Sequence, residues 1–266
     1  MPTERMSNLK VEALFAKVLA GEQMSRADAL KFGPDHGVIG DVNPERSPRQ
    51  VSLAFVDSLS DCGVSAEGAR SNLLLRNPSG GQDRVAPGAL LVGEHDVAIR
   101  VTMVCEPCKY GADLAGVANR RFRGIRRYLG VVVREGVVVQ GSELEVYPAV
   151  YPSSPDSFVD RASWALESIP RGRFMTSMQF LLAIGAGKAY ARALPGWLRK
   201  AQDAGKPVHR VLTAQLSAGS WEPLSLELLR TEGVRDVPRG PQTFDLMSVL
   251  WFENAAQHSR TRIKSF

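Results

Sequence analysis

The 266-residue chain contains no run approaching the ~18 consecutive apolar residues that span a bilayer, so no transmembrane helix is expected. It has only three cysteines, an odd number, which argues against a disulfide framework and for a reducing compartment. Its first residues lack the apolar stretch of a secretory signal, and a cytoplasmic location is the expectation. Aromatic residues are few at 7%, yet four Trp, ten Phe and five Tyr are enough to fill real cores. No internal repeat and no low-complexity tract is visible. What is present is 44% hydrophobic and 23% charged residues, an ordinary globular balance for one large domain or two small ones.

The net charge of +5 is unevenly placed. Residues 1–150 carry 18 Lys+Arg against 18 Asp+Glu, whereas residues 151–266 carry 15 against 10. An excess confined to the second half fits a surface that meets a polyanion, or simply a mildly basic solvated face.

The pattern changes near residue 150. Before it lie short β-branched runs bounded by turn formers: 50–55, 72–76, 97–104, 130–133 and 136–139. Arg134-Glu135-Gly136 between two Val-rich runs predicts a tight hairpin. Short helices are expected at 57–61 and 112–127. Strands at this spacing predict a closed or sandwich-like β domain over residues 1–147. Residues 148–156 hold three prolines in nine positions and read as a linker. Beyond it the period becomes helical, with Phe158, Ala162, Ala165, Leu166 and Ile169 on one stripe. Thr176 is the expected N-cap of a helix to Ile184 that stops at Gly185-Ala-Gly187, with a second helix starting near Lys188. Helix, glycine turn, helix is the helix-turn-helix pattern. The expected fold class is therefore α+β in two domains, a mainly β barrel-like domain and a helical winged-helix or helix-turn-helix-like domain over 157–266.

Several pieces in order along the first half resemble a MOSC domain, the C-terminal domain of molybdenum-cofactor sulfurases. They are Gly37-Val-Ile-Gly-Asp41, Arg49-Gln-Val-Ser-Leu53, Gly68-Ala-Arg-Ser-Asn-Leu73, Pro87-Gly88 with Leu91-Val-Gly93, Glu106-Pro-Cys-Lys-Tyr110, Arg123-Gly124 and Gly141. One departure is Ser71, where many members have Glu. The resemblance implies a mainly β, barrel-like fold and an important cysteine at Cys108, either ligating molybdenum in a molybdopterin cofactor or carrying sulfur. It also implies oxidoreductase or sulfur-transfer chemistry.

The residues bear on that chemistry independently. A soft thiolate suits molybdenum or persulfide, provided that positive charge depresses its pKa. Lys109 adjoins Cys108, and Arg120, Arg121, Arg123, Arg126 and Arg127 supply guanidiniums that can hold the phosphate of a pterin cofactor bidentately. Cys105-Glu-Pro-Cys108 is also a C-x-x-C, open to a redox pair or half a zinc site with Cys62, His36 or His95. The plainer alternatives are a buried, inert Cys108 and a solvated arginine face. Asp41 and Asn72 read first as turn formers.

Residues 157–235 resemble the DNA-binding domain of alkylguanine-DNA alkyltransferases. The matching stretches are Ile169-Pro-Arg-Gly-Arg173, Met175-Thr176 with Gln179, Lys188-Ala-Tyr-Ala-Arg-Ala193, Pro207-Val-His-Arg-Val211 and Leu228-Leu-Arg-Thr-Glu-Gly-Val234. The slot of the family's reactive cysteine is Val208, so the resemblance points to the alkyltransferase-like members, which recognise damaged bases without repairing them. Further departures are Ala191 at the arginine-finger position, with Arg192 following, Ser177 for the nucleotide-rotating tyrosine, and Lys200 for a binding-site asparagine. Pro195-Gly196 is expected to shorten or kink the second helix. With wedge and rotator missing, what the resemblance implies is phosphate contact from Arg173, Lys188, Arg192, Arg199, Lys200 and Arg210 to DNA or a nucleotide. His209 and Arg210 have a structural role as the first alternative, and Trp197 and Trp221 belong to the core before they count as stacking platforms.

Two classes of function follow. One is an enzyme using molybdenum-cofactor or cysteine-sulfur chemistry on a modified nucleobase, nucleotide or DNA, and not an alkyltransferase. The other is a non-enzymatic DNA-binding or lesion-recognition protein with the β domain as scaffold. A small-molecule enzyme, whose second domain serves only dimerisation or gating, stands as a third. Residues 237–266 are expected to add an apolar helix and a mobile basic tail from Ser259 to Phe266.

Overall fold

The computed structural model describes residues 7–19, 22–42, 46–78, 85–106, 109–235 and 243–253. The chain divides after Ser154 into two compact units.

Unit 1 is built on β1 (Ser7–Ala16), β2 (Ser25–Ala27), β3 (Ala29–Gly33), β4 (Gly37–Val38), β5 (Val51–Phe55), β6 (Leu73–Arg76), β7 (Leu90–Gly93), β8 (Ala98–Val104), β9 (Arg127–Arg134), β10 (Gly136–Val139) and β11 (Glu143–Tyr147). Seven of them close a ring in the order β1-β11-β7-β8-β9-β5-β6 and back to β1, with β2 hanging from the end of β1. Every ring pair is antiparallel except β5–β6. A parallel pair needs a crossover, and α1 (Val56–Cys62) with the 3-10 turn Glu67–Ala69 supplies it. Alternate residues sort the two sides, as the period of two demands. Leu53, Phe55 and Tyr128 fill the barrel interior. Ala54, Leu74 and Ala13 face outward, covered by Leu59, Ala112 and Phe122 from the helices.

Three expectations for this half need correction. The segment 112–127 is not one helix but α2 (Lys109–Leu114) and α3 (Asn119–Phe122), and Arg127 already belongs to β9. The break follows from Gly116, which turns left-handed (φ 66°) and ends the first helix. The hairpin at Arg134-Glu135-Gly136 does not form. β10 pairs with β3 in a separate sheet, β10-β3-β4, because the chain at Gly136 runs hard against the turn between β7 and β8. A Cβ at Gly136 would lie 2.2 Å from the His95 carbonyl oxygen. The expected linker is anchored to the barrel at two points, Tyr151 and Ser154, both buried. The Tyr151 amide donates to the Gly88 carbonyl (2.9 Å), and the Ser154 hydroxyl donates to that of Thr102 (2.6 Å). The Arg100 guanidinium lies 4.5 Å from the Tyr151 ring centre. Burial lowers the Arg100 pKa to about 10, with the nearby Tyr151 phenolate pulling the other way.

Unit 2 holds α4 (Phe158–Glu167), α5 (Ser177–Ala183), α6 (Leu194–Asp203) and α7 (Ser225–Thr231), with a short parallel pair β12 (Met175–Thr176) and β13 (Val211–Leu212). Ser157 caps α4 by accepting from the Asp160 amide (3.1 Å). Thr176 is the N-cap of α5 as expected, and Gln179 completes a reciprocal capping box with it. The second helix begins later than expected. Lys188–Tyr190 is one 3-10 turn, and α6 starts at Leu194 with Pro195 in its first turn. Proline's missing amide costs nothing there, so it opens the helix and does not kink it. Trp221 donates to the Val211 carbonyl (3.0 Å) and Trp251 to that of Ala183 (2.7 Å); both indoles are core residues. Trp251 sits in a π-helical turn, Ser248–Glu253. The basic tail from Ser259 lies outside the described residues. No helix among those described is long and apolar enough to cross a membrane.

The knot of this unit is Arg161, fully buried on α4. Its guanidinium donates to three carbonyls, of Ile184 (3.0 Å), Pro155 (2.9 Å) and Asp156 (2.8 Å), and lies 4.8 Å from the Phe158 ring centre. It thereby ties the start of the unit to the turn after α5. Arg161→Ala removes all three donors, and buried acceptors left without partners cost about 1–3 kcal/mol each. Urea unfolding is expected to show a loss of about 3 kcal/mol or more in unit 2, with the barrel transition unchanged.

Candidate functional site

The loop that carries Cys108 leaves the barrel at the end of β8. Strand pairing carries Val104 opposite Tyr128, and the Cys105 amide then donates to the Arg127 carbonyl (2.8 Å). The start of the cysteine loop is thus clamped to the start of β9. Arg126 precedes Arg127 in the chain, one Cα–Cα step of ~3.8 Å away. Cys105 and Glu106 are partly exposed, and exposed Lys109 opens α2. Pro107 and Cys108 themselves lie outside the described residues.

The five arginines do not share one role. Arg120, Arg121, Arg123 and Arg126 are exposed. No carboxylate among the described residues pairs with any of the four. Arg126 covers Tyr128, 5.4 Å from the ring centre. Arg127 differs from the expected anion ligand. Its side chain is buried, stacks on Phe122 (4.3 Å) and donates to the Ala69 carbonyl (3.2 Å). The reason is its place on the outward face of β9, opposite Ala54 and beneath the helices. Four exposed guanidiniums in one short stretch, with no carboxylate partner among the described residues, form a basic surface that attracts anions.

Asn72, read as a turn former, is instead a fully buried junction. It accepts from the Ser52 amide (2.9 Å) and hydroxyl (2.8 Å), and it donates to the Phe15 carbonyl (3.1 Å) and the Asp41 carboxylate (2.7 Å). One side chain so links β1, β5 and the loop after β4. Ser71 is buried beside it. Cys62 packs under Gly124, where a Cβ would approach its sulfur to 2.9 Å. Among the described residues no three His, Cys, Asp or Glu gather as a metal site.

In unit 2, Arg173, Lys188, Arg192, Arg199 and Lys200 are all exposed, and their side chains make no ion pair or hydrogen bond with described residues. Arg210 takes the structural role named first for it and not the phosphate contact. Its guanidinium is committed to both Glu232 oxygens (Nη2 at 2.6 Å, Nε at 3.2 Å) and to the Ile169 carbonyl (2.6 Å). Glu232 also accepts from the Gly172 amide (2.8 Å) and lies 3.0 Å from the His209 Nε2. This carboxylate joins the end of α7 to β13 and to the turn before β12. Val208, in the slot of the family's cysteine, is buried. Glu232 was visible only as part of a matching stretch; its role depends on folding three separate segments together.

Against known proteins, no family model and no curated protein matches the chain. Solved structures give distant likenesses. The YuaD protein from Bacillus subtilis is 20% identical, with 54% of this chain and 97% of that one covered and a TM-score of 0.48. YiiM from Geobacillus stearothermophilus is 14% identical, covering 84% and 98%, with a TM-score of 0.41. YiiM from Escherichia coli is 17% identical, covering 80% and 98%, with a TM-score of 0.40. At these values the likenesses assign neither family nor activity.

Glu232 generates a pH prediction. Burial pushes its carboxyl upward, but hydrogen bonds from Arg210, the Gly172 amide and His209 outweigh that and leave it at about 2, below its ordinary 4.5. A carboxylate with a depressed folded pKa contributes stability in full above its unfolded value and loses it as pH falls through the folded one. Unit 2 should therefore weaken between pH 4.5 and 2. Glu232→Gln should be less stable at neutral pH and show a flatter acid profile, read by urea unfolding across pH.

Proposed function

We propose that unit 1 is a MOSC-type barrel using Cys108 as a molybdenum ligand or a sulfur carrier, and that unit 2 is a catalytically dead alkyltransferase-like, winged-helix-type module. Together they act on a modified nucleobase, a nucleotide or DNA. The ordered MOSC motifs and the closed barrel support the first half of this reading. One observation carries it: Arg120, Arg121, Arg123 and Arg126 are exposed, without a carboxylate partner among the described residues, in the stretch that leads into β9, whose first residue is hydrogen-bonded to Cys105.

The donor set fits an anionic pterin cofactor. Four exposed guanidiniums without carboxylate partners suit a phosphate, and a thiol in their field suits a soft metal or a persulfide. When bound, molybdopterin would supply oxygen-atom or sulfur redox chemistry at the metal. Arg120, Arg121, Arg123, Arg126 and Lys109 would bind its phosphate and keep Cys108 deprotonated. Arg127 would hold the loop base in place from beneath, as a positioning residue.

The rival class is a non-enzymatic DNA-binding protein. The five exposed cations of unit 2 favour it as a second reading, since phosphate contacts need only charge and backbone donors.

Native mass spectrometry with elemental analysis, on protein from a host that makes molybdenum cofactor, tests the proposal. Bound pterin with molybdenum, or a persulfide lost in Cys108→Ser, is expected. Charge reversal at Arg120 and Arg123 should lower cofactor occupancy at least tenfold. No metal, pterin or sulfur adduct on the intact chain would overturn the enzymatic reading and leave the binding protein.

A further inference from the structure

Three aromatic rings meet on one edge of unit 2. Phe158, from the start of α4, stacks on Trp197 of α6, with centres 5.5 Å apart and planes 20° from parallel. Tyr190, from the 3-10 turn before α6, packs on both, 4.6 Å from Phe158 and 5.9 Å from Trp197. Phe158 is buried, and the Arg161 guanidinium backs it at 4.8 Å. Tyr190 and Trp197 are only partly buried. The column therefore runs from a buried cation outward to two rings that reach the surface.

The surroundings give that edge a charge. On α6 the buried stripe is Leu194, Leu198 and Ala201. Trp197 lies at its margin, and Lys200, one turn on, follows Trp197 on the same side. Gly196 also lies on that flank, and nothing stands within 4 Å of where its side chain would begin. Lys188 and Arg192 bracket Tyr190 in sequence. All three cations are exposed, and none meets an acid among the described residues. By contrast, Lys206 is paired with Glu167 and Arg210 with Glu232.

We propose that the Tyr190–Trp197 edge is a stacking platform for an unpaired base of single-stranded nucleic acid, with Lys188, Arg192 and Lys200 on the flanking phosphates. Rings supply sequence-tolerant stacking and cations follow the backbone, the two components by which single strands are held. A duplex offers no free base face, so the platform discriminates against it. The inference rests on the nucleic-acid reading of unit 2 and narrows its ligand. It makes no use of base extrusion from a duplex, for which a wedge would be needed.

The test is fluorescence anisotropy of the full chain with a labelled 12-nucleotide oligothymidine and with a duplex of the same length, across a salt titration. The single strand is expected to bind at least tenfold more tightly. Trp197→Leu keeps apolar packing on Phe158 but removes the π face, and should weaken oligothymidine binding at least tenfold. Trp197→Phe should stay within threefold of the parent. Lys188→Glu with Lys200→Glu should reduce the salt slope. If Trp197→Leu unfolds, as thermal melting would show, Tyr190→Leu provides the same comparison. Equal affinity for both ligands, unchanged by either ring substitution, would overturn the platform while leaving phosphate binding by unit 2. Absence of binding to both at low salt would overturn the platform and the nucleic-acid reading together.

Discussion

The pairing of β8 with β9 is the constraint on which the candidate site depends. It continues past the last ladder residues into the hydrogen bond from the Cys105 amide to the Arg127 carbonyl. Closure of the barrel holds that pairing from both sides, since β8 is also held by β7 and β9 by β5. The residues just after β8 and just before β9 are therefore held next to each other at one end of the barrel. The register thus joins Cys105, at the start of the loop, to Arg127, at the start of β9.

Buried arginines appear at three points, each with a different solution to the cost of burying charge. Arg161 spends its donors on backbone carbonyls, Arg127 combines one carbonyl with the face of Phe122, and Arg100 lies against Tyr151. Arg210 is the ion-paired version, held by Glu232. Burying a guanidinium is tolerable only when geometry supplies such partners. These residues stitch segments far apart in sequence, which is why substitution of any of them acts on the unit and not on a surface. Arg120, Arg121, Arg123 and Arg126 in unit 1, and Arg173, Lys188, Arg192, Arg199 and Lys200 in unit 2, are exposed and have no carboxylate partner among the described residues.

How far the molecule was legible beforehand can be judged residue by residue. The strand runs, the N-cap at Thr176, and the stop at Gly185 all depend on near neighbours, and each formed where local chemistry placed it. The hairpin at Arg134-Glu135-Gly136 was misread because a tight turn and a strand crossing both require glycine, and only the position of His95 decides between them. The packing of Tyr151 was hidden because three prolines look alike whether a segment is free or laid along a barrel. At the site, the exposed Arg120, Arg121, Arg123 and Arg126 matched the charge pattern, whereas Arg127 and Arg210 were turned to structural use by neighbours distant in sequence.

By itself the sequence determined the two-part organisation, the β-then-helical order and the basic excess of the second half. All of these follow from composition, period and residue identity. Tertiary structure alone decided which cations are free and which are committed, that Asn72 and Glu232 are junctions, and that Phe158, Tyr190 and Trp197 share one edge. The reason is physical: a charge or a ring acquires its role from groups that folding brings within a few ångströms, and those groups lie tens of residues away along the chain.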